Sequence, residues 1–167
     1  SSAALGNVFA MTALSQMCDD GLVPDSQCHV IRNALFDLNS ANPFLQKNDD
    51  NDDKEEASSI RCKALANALW YHAAIEGGHR VAQVSLADNL MLQYMTEKSN
   101  MTEDDKEGMI LLASVLLTMA LNQGYNSLEM LHRIRDVECS RLNELGVEIP
   151  SDEFFQSAVI QVLLLSM

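Results

Sequence analysis

The sequence predicts an all-α protein. Apolar residues recur at helical spacing along almost the whole chain, and no segment alternates as a half-buried strand does. The 3 Pro and 7 Gly fall between these apolar periods. Aromatic residues make up 5% of the chain while there are 9 Met, a composition that suits helices packed on helices. At 167 residues the chain can bury one such core, so we expect a single domain over 1–167.

The first two of about seven helices are expected before residue 43. One runs over about 3–18 and ends at the breakers between Gly21 and Pro24. The next begins at a cap formed by Asp25 or Ser26 and ends before the helix-breaking Pro43. The apolar face of the second helix consists of Val30, Ile31, Ala34, Leu35 and Leu38.

An acidic stretch follows the second helix. Six of the eight residues 49–56 are Asp or Glu, and the segment has no apolar periodicity. We therefore expect a solvated, mobile loop at about 48–58. Three oxygen-bearing residues at alternate positions from Asp49 have the first ligand spacings of an EF-hand. Because Lys54 and Ile60 replace the Gly and Glu that this calcium loop needs, the EF-hand interpretation fails.

The third and fourth helices form a hairpin. The third starts near Ser59 and runs to Gly77-Gly78, which can supply the left-handed conformation that closes a helix. The fourth covers about 79–95 and presents apolar residues at helical spacing. The third carries Ile60, Ala64, Leu65, Ala68, Leu69, Tyr71 and Ala74.

Three further helices are expected at the C-terminal side. The fifth follows a capping box at Thr102 and Asp105 and ends at Gly124. The sixth occupies about 127–145, and the seventh about 152–165.

The formal net charge of −13 limits the class of partner. An acidic surface repels phosphate backbones, so we expect no nucleic-acid ligand. A basic protein is the electrostatic complement, while solubility alone is the alternative reason for the charge. No apolar run approaches the roughly 18 residues of a membrane span. We expect a soluble protein without membrane insertion, cytoplasmic, or periplasmic or secreted if a leader was removed.

The four cysteines leave the redox compartment open. They have no CxxC spacing, and their even number allows disulfides, for instance between Cys18 and Cys28. Buried thiols of a cytosolic helical protein are the alternative. The other two are Cys62 and Cys139.

One hairpin of the chain is repeated at a fixed period. Shifting the sequence by 46 residues superimposes 70–82 on 116–128. A lone hairpin cannot bury its apolar face, whereas stacked hairpins share a continuous core. The matched pairs are Trp70 with Leu116, Tyr71 with Leu117, Ala74 with Ala120, Ile75 with Leu121, Gly78 with Gly124 and Ala82 with Leu128.

This hairpin resembles a Sel1-like repeat, a relative of the tetratricopeptide repeat. His79 and Gln83 are also common at their places in that pattern, whereas Ala87 replaces its usual glycine. The second copy keeps Ala120 and Gly124 but has lost the aromatic pair. The residues that match without a gap are Trp70, Tyr71, Ala74, Gly78, Ala82 and Leu86.

The resemblance implies both an architecture and a function. The architecture is a short α/α superhelix of stacked antiparallel hairpins, in which the pattern residues pack the core. The function is binding of proteins or peptides by the curved surface. The family has no catalytic residues, so none are carried over to this chain.

One constellation could bind a metal ion. His72, Glu76 and His79 stand at i, i+4 and i+7, and His and Glu are ligands of zinc. Gly77-Gly78 is expected to end the helix before His79, which would separate the three side chains. Exposed polar residues are the alternative interpretation. No nucleophile motif or phosphate loop is present, and we expect no cofactor.

Arg133, Arg135 and Arg141 form the main cationic group of this acidic chain. They could bind an acidic partner, but pairing with acids of the same helix is the interpretation we favour. The nearby acids are Glu129, Asp136, Glu138 and Glu144.

The sequence thus predicts a non-enzymatic protein-interaction module, an adaptor or scaffold. Two alternatives stay open: an acidic inhibitor of the immunity type that neutralises a basic partner, and a small metal-dependent enzyme that uses His72 and Glu76.

Overall fold

The structure, a computed structural model, describes residues 7–45, 56–125 and 127–147, with the side chains of these residues except 56–63. Within these ranges the chain is helical and has no strand. A π-helical segment, His72–Glu76, extends the third helix, and a 3₁₀ turn, Lys98–Asn100, follows the fourth. The six α-helices of the described residues are α1 (Val8–Asp19), α2 (Asp25–Leu38), α3 (Glu56–Tyr71), α4 (Arg80–Glu97), α5 (Glu103–Asn122) and α6 (Leu128–Glu144).

The all-α prediction is confirmed for these residues, and two boundaries are corrected. Helix α1 begins at Val8, because Asn7 is extended and its Oδ1 accepts hydrogen bonds from Phe9 N (2.9 Å) and Ala10 N (3.2 Å). Helix α3 begins at Glu56, so the predicted loop extends too far: Glu56 and the following Ala favour helix. The rest of that loop and the predicted seventh helix lie outside the described residues.

The chain divides into two compact units between Gln83 and Val84, and each is described by itself. In the first unit, α1 packs along α3 and α2 packs against α3. The start of α1 lies beside Gly77 and its end beside Trp70, so α1 runs antiparallel to α3. The buried apolar side chains include Met11, Cys18, Leu35, Leu65, Leu69 and Trp70.

Within the first unit, a short segment after α2 is fastened to the end of α3. Asn42 is buried, and its Nδ2 donates to the Ala68 carbonyl (2.8 Å) while its Oδ1 accepts from Phe44 N (3.1 Å). The Phe44 ring meets Tyr71 edge-on at 5.8 Å. Because both polar ends of Asn42 have partners, its burial carries little penalty.

In the described part of the second unit, α5 packs on α6. Thr102 Oγ1 accepts from Asp105 N (3.2 Å) at the start of α5, the cap that the sequence predicts. Lys106 at the start of α5 faces Glu144 at the end of α6, so the two helices are antiparallel. The buried apolar side chains include Leu86, Leu90, Tyr94, Ile110, Leu116, Leu117, Met130 and Val137.

The structure bears on two of the sequence predictions: the absence of membrane insertion and the possible disulfide between Cys18 and Cys28. None of the described helices is both long and apolar enough to cross a lipid bilayer. Cys18, Cys28 and Cys139 are thiols, and Cys28 Sγ lies 3.9 Å from the Val23 carbonyl oxygen. The side chain of Cys62 is outside those described.

Candidate functional site

The predicted repeat positions lie in the core or at helix ends. Tyr71 is half-buried, whereas Gly78 and Gly124 have positive φ values of 60° and 80°. These φ values require the left-handed conformation that glycine adopts without strain. The remaining positions are buried, with exposed fractions of 0–2%: Trp70, Ala74, Ala82, Leu86 and Ala120.

The first hairpin turn, between α3 and α4, begins with the π-helical segment. Gly77 N donates to the His72 carbonyl (3.2 Å) and His79 N donates to the Ala73 carbonyl (3.1 Å). A Cβ added to Gly77 would lie 2.7 Å from both the Ala73 oxygen and Cγ2 of Val8. Gly77 is therefore required by the close approach of α1, a role that the sequence pattern does not reveal.

A buried glutamine completes this turn. The wider π turn leaves the Ala74 carbonyl without a backbone donor from the same turn, and Gln83 Nε2 donates to it (3.1 Å). Gln83 is fully buried. Its amide thereby satisfies a helix-end carbonyl that would otherwise cost free energy in the core. The sequence marks Gln83 only through the resemblance to the repeat pattern.

The second hairpin turn closes in a different way. Gly124 N donates to the Leu121 carbonyl (2.9 Å) and Tyr125 N donates to the Ala120 carbonyl (3.2 Å). This pair of bonds, with glycine in the left-handed conformation, is a Schellman motif. The described residues of this turn contain no π-helical segment, and Gln123 stands in the place of Gly77.

The 46-residue shift relates equivalent positions of the two hairpins only as far as Gly78 and Gly124. His79 Nδ1 accepts from Ala82 N (3.4 Å) and so caps α4, while Ser127 Oγ accepts from Met130 N (3.3 Å) and caps α6. These two caps are 48 residues apart, since the second turn is two residues longer. The predicted pairing of Ala82 with Leu128 is therefore wrong: Leu128 is 69% exposed, and the buried counterpart is Met130.

A long-range hydrogen bond anchors Trp70. Its Nε1 donates to Asp19 Oδ2 at 2.7 Å, joining the end of α1 to α3. Because the indole is 2% exposed, the bond also satisfies the polar group of a buried side chain. Sequence periodicity identifies the buried indole but not an acceptor 51 residues away.

The structure separates the three candidate metal ligands. His79 caps α4 and its ring contacts Phe9 edge-on at 5.6 Å, whereas Glu76 Oε1 accepts from Asn39 Nδ2 (3.4 Å). The Nδ1 of His72 is buried without a hydrogen-bond partner. As predicted, the helix ends before His79. Within the three described ranges, no three His, Cys, Asp or Glu side chains are grouped as metal ligands.

The predicted ion pairing of the arginines is confirmed for two of them. Arg141 Nε lies 3.0 Å from Glu138 Oε2, as expected within one helix. Arg133 instead makes two hydrogen bonds with Asp88 of α4, at 2.8 and 3.0 Å, and lies 3.8 Å from Glu129. The Asp88 hydrogen bonds raise the pKa of Arg133 above its usual value.

A cluster of polar side chains joins three helix ends in the second unit. Tyr94 Oη donates a short hydrogen bond to Glu144, whose other oxygen lies 3.7 Å from Lys106 Nζ. Lys106 also bonds Glu103 at 2.9 Å. We call these four residues the Tyr94 cluster. Burial, followed by the Glu144 hydrogen bond and charge, raises the pKa of Tyr94 to about 12.

The raised pKa of Tyr94 predicts a stability loss at high pH. The folded pKa exceeds the unfolded value of 10.0, so the hydroxyl form stabilises the fold fully below pH 10. That contribution is lost as the pH rises from about 10 to 12, with a slope of at most about 1.4 kcal/mol per pH unit. Denaturant unfolding across this range should show the slope in the wild type and a shallower one in Tyr94→Phe.

Tyr125→Phe is the matched control, because it removes a phenol outside the Tyr94 cluster. This variant should keep the wild-type slope. Equal slopes in the wild type and in Tyr94→Phe would show that Tyr94 does not titrate with unfolding.

Comparison with known proteins adds no further constraint on this site. No family model, no curated protein and no solved structure matches the chain.

Proposed function

We propose that this chain is a non-enzymatic protein-interaction module, an adaptor or scaffold, whose helices stack as antiparallel hairpins in a short α/α superhelix. One contrast supports the proposal most directly. The residues that match the repeat pattern are used for packing or turns, while large apolar side chains outside the pattern remain at the surface. Such side chains include Phe9, Leu111 and Leu128, each at least 60% exposed.

Exposed apolar groups within an acidic surface favour a protein partner. Desolvating them supplies binding free energy, and the net negative charge of the chain accelerates the encounter with a basic protein. The net charge of −13 also favours a second candidate of the same kind, an immunity-type inhibitor that neutralises a basic protein. The two differ in consequence: the inhibitor abolishes its partner's activity, and the adaptor leaves it intact.

The test begins with the full chain as bait in extract from its native source, with co-eluting proteins identified by mass spectrometry. Each identified protein is then purified and titrated against the chain at low and at high salt. We expect at least one saturable complex that weakens as salt rises. Failure of every purified candidate to bind would overturn the proposal, and salt-independent binding would overturn the assignment of a basic partner.

A further inference from the structure

The part of helix α5 after its charged first turns is apolar on all sides but is buried on only one. Between Gly108 and Leu121 its only polar side chains are Ser114 and Thr118. A helix of this composition is normally surrounded by other elements. In the structure Leu111 is 60% and Val115 is 44% exposed, on the side opposite the core. The core side is formed by Ile110, Ala113, Leu116, Leu117 and Ala120.

The exposed side of α5 has an ordered chemical pattern. At about 100° per residue, six exposed side chains lie within about 40° of one line along the helix. The line begins with two carboxylates, continues with two apolar side chains and ends with two neutral polar ones. It extends over about 27 Å, at roughly 1.5 Å per residue. We call it the α5 stripe: Asp104, Glu107, Leu111, Val115, Thr118 and Asn122.

The charges of the α5 stripe favour a binding partner that carries positive charge. Among the described residues, the ion pairs of α5 involve Glu103 and Lys106, and none involves Asp104 or Glu107. Both carboxylates are exposed, and they precede the apolar pair along the stripe. A second copy of the chain would meet the stripe with its own charge of −13, and an anionic lipid surface would be repelled in the same way.

We propose that the α5 stripe binds an amphipathic helix of a protein partner that carries apolar side chains and, at one end, Lys or Arg. The inference rests on the proposed function and names the surface and the partner segment. Apolar residues one helical turn apart on the partner cover Leu111 and Val115, since these lie about 6 Å apart along α5. Cationic residues one to two turns further on face Glu107 and Asp104, which fixes the direction of the bound helix.

The test uses synthetic helical peptides as probes and the full chain as receptor. The basic probe has Leu at i, i+3, i+4 and i+7 and Lys clustered at one end, and in the acidic probe Glu replaces every Lys. Binding is measured by fluorescence anisotropy of the labelled peptides. We expect saturable binding of the basic probe that weakens with salt, and no binding of the acidic probe.

Variants locate the binding surface. Leu111→Ser with Val115→Ser should weaken binding of the basic probe at least about tenfold, since two apolar contacts are lost. Asp104→Asn with Glu107→Gln should weaken it severalfold and reduce its salt dependence. The matched control replaces the exposed apolar pair of α4, Leu92→Ser with Met95→Ser, and should bind as the wild type does. Circular dichroism and thermal unfolding confirm that each variant folds.

Absence of binding of the basic probe would overturn the proposal for the α5 stripe. So would unchanged affinity in the Leu111 and Val115 double variant, or an equal loss of affinity in the α4 control. The same variants also separate this inference from the proposed function. A purified native partner that binds the double variant as tightly as the wild type would refute the stripe while the interaction module stands.

Discussion

Replacing Trp70 with Ala is expected to lower the free energy of unfolding by about 3–5 kcal/mol, the usual cost of removing a large buried aromatic side chain. The indole is 2% exposed, and it joins α1 to α3 through its bond to Asp19. Its loss leaves a cavity and takes the donor away from the Asp19 carboxylate. Urea unfolding followed by circular dichroism measures the change directly.

Two milder variants separate the cavity from the hydrogen bond. Trp70→Phe keeps most of the apolar volume and should cost less than Trp70→Ala, because part of the cavity stays filled. Asp19→Asn weakens the acceptor and should cost about 1 kcal/mol, whereas Asp20→Asn, the same charge change one residue later, should cost less. Equal costs at Asp19 and Asp20 would contradict the role assigned to the bond.

Gly77→Ala is expected to lower the free energy of unfolding by about 1–3 kcal/mol, a typical cost of overpacking. The new methyl group would lie 2.7 Å from the Ala73 carbonyl oxygen and 2.7 Å from Val8 Cγ2. The oxygen belongs to the backbone of the π turn and cannot rotate away. Chemical denaturation gives the size of the effect, and Val8→Ala in the same background should recover part of the loss.

Gly108→Ala is the matched control, and we expect it to have the opposite sign. Gly108 lies in the interior of α5 and is exposed, and a Cβ added there would meet no atom within 4 Å. Alanine there should stabilise the protein by about 0.5–1 kcal/mol, since it favours helix more than glycine does. A destabilised Gly108→Ala together with an unaffected Gly77→Ala would refute the local geometry at both sites.

Local signals in the sequence are sufficient to predict most helices and several of their ends. The Thr102 cap and the left-handed Gly78 and Gly124 depend on residues within one turn of each other, so a short window contains their cause. The predicted start at residue 3 is wrong because Asn7 is a stronger cap than the apolar period reveals.

Contacts between distant residues cannot be predicted in this way. Arg133 bonds Asp88, 45 residues away, although several acids lie closer in sequence, and Tyr94 bonds Glu144 at a separation of 50. Such pairs depend on how helices pack against one another, which periodicity does not specify. The same holds for the close approach of Val8 to Gly77 beside the π turn.

The longer second turn affects which side chains face outward on the second helix of its hairpin. Two extra residues rotate every later side chain by about 200° relative to a strict 46-residue copy. The first helix of each hairpin keeps its packing, as the burial of Ala74 and Ala120 shows, while the second helix acquires a new outward face. A change of two residues in loop length can thus change which side chains of the second helix face outward, while the first helix keeps its buried alanine.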